Sequence, residues 1–159
     1  MGAKSEALAK QFEAKAQEAV AGIEKLSDAD WKKVTAAEKW TVGVTAHHLA
    51  GAFEPVAGII TGIVSGTLPG GFSRAMLDEM NARHAREHAN CTRAETVALL
   101  KKGAPMAAAV VRGLSDDQLA KSGTVFTDVP PMTAEQLVMG GLIAHIDEHV
   151  GSIRKTVGP

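Results

Sequence analysis

At 159 residues the chain has the length of one domain, 1–159, and enough material to bury a proper core. Hydrophobic residues make up 45% and charged residues 22%, near the average for globular proteins, which excludes a disordered or fibrous chain. Seventeen basic against 18 acidic side chains leave a formal net charge of −1, which gives no electrostatic footprint for nucleic acid, and Cys91, the single cysteine, excludes both an intramolecular disulfide and a cysteine-rich zinc site.

The N-terminal stretch carries Lys4, Glu6, Lys10, Glu13, Lys15 and Glu18, which the apolar core of a signal peptide does not tolerate. The most apolar run, residues 56–64, has about nine residues where a membrane span needs about 20. A soluble, cytoplasmic protein is expected, with no membrane partner.

Helical periodicity dominates the chain, and strand-type alternation is confined to a short piece at 123–129, so the fold class is all-α. In 5–26, Leu8, Phe12, Ala16, Val20 and Ile23 recur every three or four residues, which predicts an amphipathic helix. Ser27 and Asp28 offer capping oxygens for a short helical turn at 30–34. Thr41 is the expected N-cap of a second long helix, 42–64, in which Pro55 removes one backbone donor and predicts a kink near Gly51. The run from Ser65 to Gly71 reads as a loop, because glycine permits positive φ and proline cannot continue a helix. A third helix is expected at 73–90. Thr92 and Glu95 have the spacing of a capping box at the head of a fourth, reaching 114, which Pro105 would bend. After a polar connection at 115–131, Thr133 and Gln136 repeat that pattern and start the last helix, to 156.

Chemistry concentrates in the histidines. His145 and His149 lie four residues apart on the last helix, one turn from each other on one face, near enough to grip one ion. Val138, Leu142, His145, His149 and Ser152 form a stripe flanked by Ile146 and Ile153, which sets the pair on or beside the buried face. A buried ring nitrogen without a partner costs on the order of 1–3 kcal/mol, so another polar group must meet them. The second helix supplies His47 and His48 within an apolar run. His48 shares a stripe with Val44, Gly51 and Pro55, whereas His47 points about 100° away and is expected to be exposed or bonded to a neighbouring element. Three imidazoles from two helices, completed by water, are the coordination of a catalytic rather than a structural metal.

These residues also carry a resemblance. Trp40 followed eight positions later by His48, and His145-Ile146-Asp147-Glu148-His149 followed by a small residue and an aliphatic, resemble the DinB/YfiT-like family. The segments Leu77-Asp78-Glu79-Met80-Asn81 and Leu114-Ser115-Asp116-Asp117-Gln118-Leu119 are similar to its central helix and its usual loop. The resemblance spans nearly the whole chain. It implies an up-down-down-up four-helix bundle, a metal centre of His48, His145 and His149, and a homodimer formed by helix packing. Members include thiol-dependent transferases and isomerases.

Three other features read differently. His145 to His149 matches the H-x-x-E-H motif of inverzincin proteases, but that scaffold is larger and needs a downstream carboxylate ligand, and only ten residues follow His149. His84 and His88 form a second pair among Arg83, Arg86 and Glu87, read as a solvated stretch without a metal, although His84 has the spacing to line a pocket beside Asn81. Cys91 reads as a small packed thiol.

The function expected is that of a metal-dependent enzyme in which one divalent ion, Zn or Ni, activates a low-molecular-weight thiol or water against a small-molecule substrate, in thiol transfer or hydrolysis. The alternatives are a non-catalytic metal-binding stress protein and a dimeric helical module.

Overall fold

The computed structural model describes residues 2–158. It is mostly helical, as the periodicity requires, and consistent with a DinB-like fold. Helix α1 spans Ala3–Glu24, α2 Asp28–Trp31, α3 Val42–Ser65, α4 Arg74–Glu87, α5 Arg93–Arg112 and α6 Asp116–Ala120. The last helical element is composite: α7 (Ala134–Leu137) continues through a π-helical segment (Val138–Ala144) into α8 (His145–Val157).

Local capping explains where the long helices begin. The side chains of Thr41, Ser73, Thr92 and Thr133 each accept a hydrogen bond from a backbone N–H in the first turn that follows. At Thr133 the box is complete, since Gln136 Oε1 also accepts from the Thr133 N–H at 2.8 Å. At Thr92 only half of the expected box forms: Thr92 Oγ1 accepts from the Glu95 N–H, and the reciprocal bond is not made. Gly66 closes α3 with φ 71°, a left-handed conformation that favours glycine. Pro55 sits inside the continuous helix α3.

The connection expected to be polar and irregular holds more structure than its composition suggests. Ser115 and Gln118 form a full capping box that starts α6, and Ser122–Gly123 pairs antiparallel with Met132–Thr133 as strands β1 and β2. This two-stranded ribbon delivers the chain to Thr133.

Helices α1, α3, α5 and the C-terminal element enclose the core. Phe12 of α1 meets Phe53 of α3 edge to face at 5.1 Å, and Leu49, Ile60, Leu100, Val111, Val138 and Leu142 are fully buried around them. Helix α5 presents Ala104, Ala107 and Ala108 to this core, and small residues let its backbone approach α1 and α3 closely. Taken whole, α3 is longer and more apolar than the run at 56–64 suggests: by length and composition it is the one described helix able to cross a membrane. Its apolar side chains, however, are those of the core, with Val42, Ala46, Leu49, Ala50, Phe53, Ala57, Ile60 and Ile63 all buried. Helix α4 differs from the other long helices, because none of its residues is buried.

Candidate metal centre

His48 stands on the second turn of α3, and His145 and His149 on the first turns of α8. One ring nitrogen from each lies within 4.8 Å of the other two. The His145 Nε2 to His149 Nε2 distance is 2.9 Å and the His48 Nε2 to His145 Nε2 distance is 3.3 Å. Donors held about 2.0–2.1 Å from a tetrahedral ion stand about 3.3 Å from one another, so the spacing suits a shared cation. The rings meet edge to face, at 76° for His48 with His145, 82° for His48 with His149 and 85° for His145 with His149. Nε2 of His48 and Nε2 of His149 both face Nε2 of His145.

One partner is absent from the sequence reading. Glu38 Oε1 lies 2.9 Å from His149 Nδ1, and Glu38 Oε2 accepts from Ser152 Oγ at 2.6 Å. A carboxylate only accepts, so Nδ1 of His149 carries a proton, and Nε2, 2.9 Å from Nε2 of His145, is the nitrogen left to ligate. Such a carboxylate–histidine pair orients a ligand and raises its basicity. Burial pushes the Glu38 carboxyl upward, but hydrogen bonds from Ser152, Thr35 and His149 outweigh it and hold the group below the usual carboxylate range. Glu38 is delivered by a tight turn in which Lys39 N–H donates to the Thr35 carbonyl and Thr35 N–H to the Trp40 carbonyl. Lys39 there has φ 62°, the one positive φ outside glycine among the described residues. Neither charge pattern nor periodicity marks Glu38; Trp40, whose ring lies 5.2 Å from that of His48, is the nearest signal.

The π-helical segment ends where the histidine pair begins. Its i→i+5 bonding resets the phase of α8, so the apolar face of 138–144 and the ligand-bearing face of 145–152 need not continue one 3.6-residue stripe. Gly141 belongs to this segment, and a Cβ there would sit 2.9 Å from Val56 Cγ1 of α3. The close approach of the two helices is what brings His145 to His48.

Burial decides the charge state of the rings. It pushes His48 down to about 3, with the neighbouring His145 and His149 adding to the effect, and His145 down to about 4. Both are therefore neutral and able to ligate at neutral pH. His145 Nδ1 is buried with no hydrogen-bond partner among the described residues. Glu148, of the protease-like motif, is exposed, and Asp147 pairs with Lys15 on α1 instead.

The remaining three histidines also meet. His47 is 8% exposed, and its Nδ1 lies 2.8 Å from Nε2 of His84, so of the two alternatives for His47 the bond to a neighbouring element holds. His88 stacks on His47 with ring centroids 4.2 Å apart. His84 and His88 are half-buried rather than solvated, because α4 lies with this edge on α3. That corrects the reading of the second pair from its charged neighbours, which point away while the histidines point in. Cys91 is buried, burial raises its thiol pKa, and its carbonyl accepts from Trp31 Nε1–H at 2.9 Å, which fits a packed thiol.

Residues 12–140 match the family model described as the mycothiol maleylpyruvate isomerase N-terminal domain, a DinB-like superfamily domain. No curated protein and no solved structure is similar enough to count as a match. The matched span holds Trp40, His47, His48, His84 and His88, and ends before His145 and His149. It covers well over half of the chain, which therefore belongs to the mycothiol maleylpyruvate isomerase N-terminal domain family.

Proposed function

We propose that the chain is a metal-dependent enzyme whose His48, His145 and His149 hold one divalent ion tightly, and that it uses this centre to activate a low-molecular-weight thiol or water. The observation that carries the reading is the convergence of three imidazoles, one of them oriented by Glu38. A divalent ion in such a donor set lowers the pKa of a thiol or water so that a nucleophile exists near neutral pH. The protein's own part is to hold His149 in one tautomer through Glu38 and Ser152, and to keep His48 and His145 neutral by burial. Three imidazoles suit Zn or Ni. The family description names mycothiol, which supports a thiol as the activated group and transfer or isomerisation as the reaction. The reading extends to a cytoplasmic homodimer, and to an up-down-down-up order of α1, α3, α5 and the C-terminal element. The neighbour relations of α1 with α5, α5 with α3 and α3 with α8 support that order.

A second reading rests on one observation. A cleft of about 350 Å³ lies between α1 and α5, another of about 330 Å³ lies between α1 and α8, and neither contains a histidine. A centre whose histidines line neither cleft fits a non-catalytic metal-binding protein, in which the ion ties α3 to α8 and adds stability through linkage. Cobalt-substituted protein separates the two. On addition of a low-molecular-weight thiol, the enzyme reading expects a sulfur-to-cobalt charge-transfer band that is lost in the His145→Ala, His149→Ala double variant. A d–d spectrum that ignores both thiol and pH means a closed site, and the thiol reading falls.

A further inference from the structure

We propose that His47, His84 and His88 form a second, weaker binding site for a divalent cation, which clips α4 to α3. This goes beyond the centre described above and does not depend on it. All six histidines of the chain belong to one or other triad, and one ring nitrogen from each of His47, His84 and His88 lies within 4.8 Å of the other two. Helix α4 buries no residue, its Met76 and Met80 standing exposed, and the 2.8 Å contact between His47 Nδ1 and His84 Nε2 joins it to α3. A neutral imidazole has one donor and one acceptor nitrogen, and His84 Nδ1 is buried with no hydrogen-bond partner among the described residues. A cation held at the His47–His84 contact would take one nitrogen of each ring as its ligand and leave the other free to carry the proton. The carboxylates of Glu87 and Glu95 lie close enough to act on His84 and His47 as negative charges, and they favour a cation there.

The ligand class follows from the donors. Imidazole nitrogens select Zn2+, Ni2+ or Cu2+ and not Ca2+ or Mg2+, which require oxygen. Two features make the site the weaker one. The rings are nearly parallel, at 22° for His47 with His88, 29° for His47 with His84 and 34° for His84 with His88, so they must fan open about the soft Cβ–Cγ torsion to converge on an ion. His48 of the first triad also stands 5.9 Å from His84, ring to ring, and an ion in either site raises the electrostatic cost of filling the other.

The test is zinc titration of the chelator-stripped full chain, followed by calorimetry and by the ring 15N resonances of the six histidines, which need no variant. The expected result is two ions per chain, the second at least about tenfold weaker. The first equivalent should move His48, His145 and His149, and the second His47, His84 and His88. The His84→Ala, His88→Ala variant should keep the tight ion and lose the weak one, with circular dichroism reporting that it is folded. Resonances of His47, His84 and His88 that stay still at saturating zinc would overturn the proposal, as would two ions retained in that variant. Movement of this triad with a silent first triad would defeat the proposed function and leave the second site standing.

Discussion

The two histidine triads start from consecutive residues of α3, yet the protein holds them differently. His48, His145 and His149 sit between two core helices, with rings edge to face and a carboxylate behind His149. His47, His84 and His88 sit between a core helix and a helix without buried residues, with rings stacked. The donor chemistry is the same, three imidazoles each. What differs is preorganisation: in the first triad the surrounding core and Glu38 have already fixed ring orientation, and in the second a cation would have to impose it.

The largest effect expected is from the two neighbours on α3. His48→Ala should abolish tight metal binding, whereas His47→Ala should leave the tight ion within a few-fold and remove only the weak one, as metal analysis after dialysis against a competing chelator will read. The reverse outcome would mean that the triads' roles are exchanged. Next comes Glu38→Gln, which keeps the shape but gives up the charge behind His149. Outer partners of this kind are worth about 10–100-fold in metal affinity, so the tight constant should fall by that factor while the weak one stays constant. Equal losses at both sites would show that Glu38 acts on the fold rather than on its histidine.

Acidification sharpens the contrast in another way. Burial holds the folded-state values of His48 near 3 and of His84 and His145 near 4, below the unfolded value of about 6.5. Between these values the unfolded chain binds more protons than the folded one, so metal-free protein loses stability as pH falls below about 6.5. Thermal melts of stripped protein should show a decreasing Tm from pH 7 to pH 5, a window above the range where carboxylates titrate. The slope should be reduced in His48→Ala. A flat profile would mean that the rings are not held neutral by burial.

The smallest effect is expected at Gly141. A Cβ there would lie 2.9 Å from Val56 Cγ1, and the β-branched side chain of Val56 has little freedom to move aside. Gly141→Ala should cost about 1 kcal/mol through overpacking, or a few degrees in Tm, and should weaken the tight site by displacing His145 while sparing the other triad.

Much of the fold was legible along the chain. The long helices begin within two residues of the positions that the capping residues predict, and the expected spans differ from the observed ones by at most three residues at either end. Caps and 3.6-residue periodicity are local properties, satisfied within one turn by side chains a few positions away. The i, i+4 spacing of His145 and His149 is local in the same sense, as is the 100° separation of His47 from His48.

What the sequence determined by itself, then, is the set of long helices, the family signature around Trp40 and His48, and the pairing of histidines within a helix. Tertiary structure alone decided which pairs meet. Glu38 reaches His149 across 111 positions through a turn with Lys39 at φ 62°, and no periodicity encodes that approach. The π-helical segment resets the phase of α8, because an i→i+5 ladder is stabilised by packing against α3 and leaves no mark in the hydrophobic pattern. His84 and His88 appeared solvated from their charged neighbours, and became part of a triad only because α4 docks that edge against His47. Docking angles depend on the shapes of two surfaces at once, and a single chain read in order shows each of them alone.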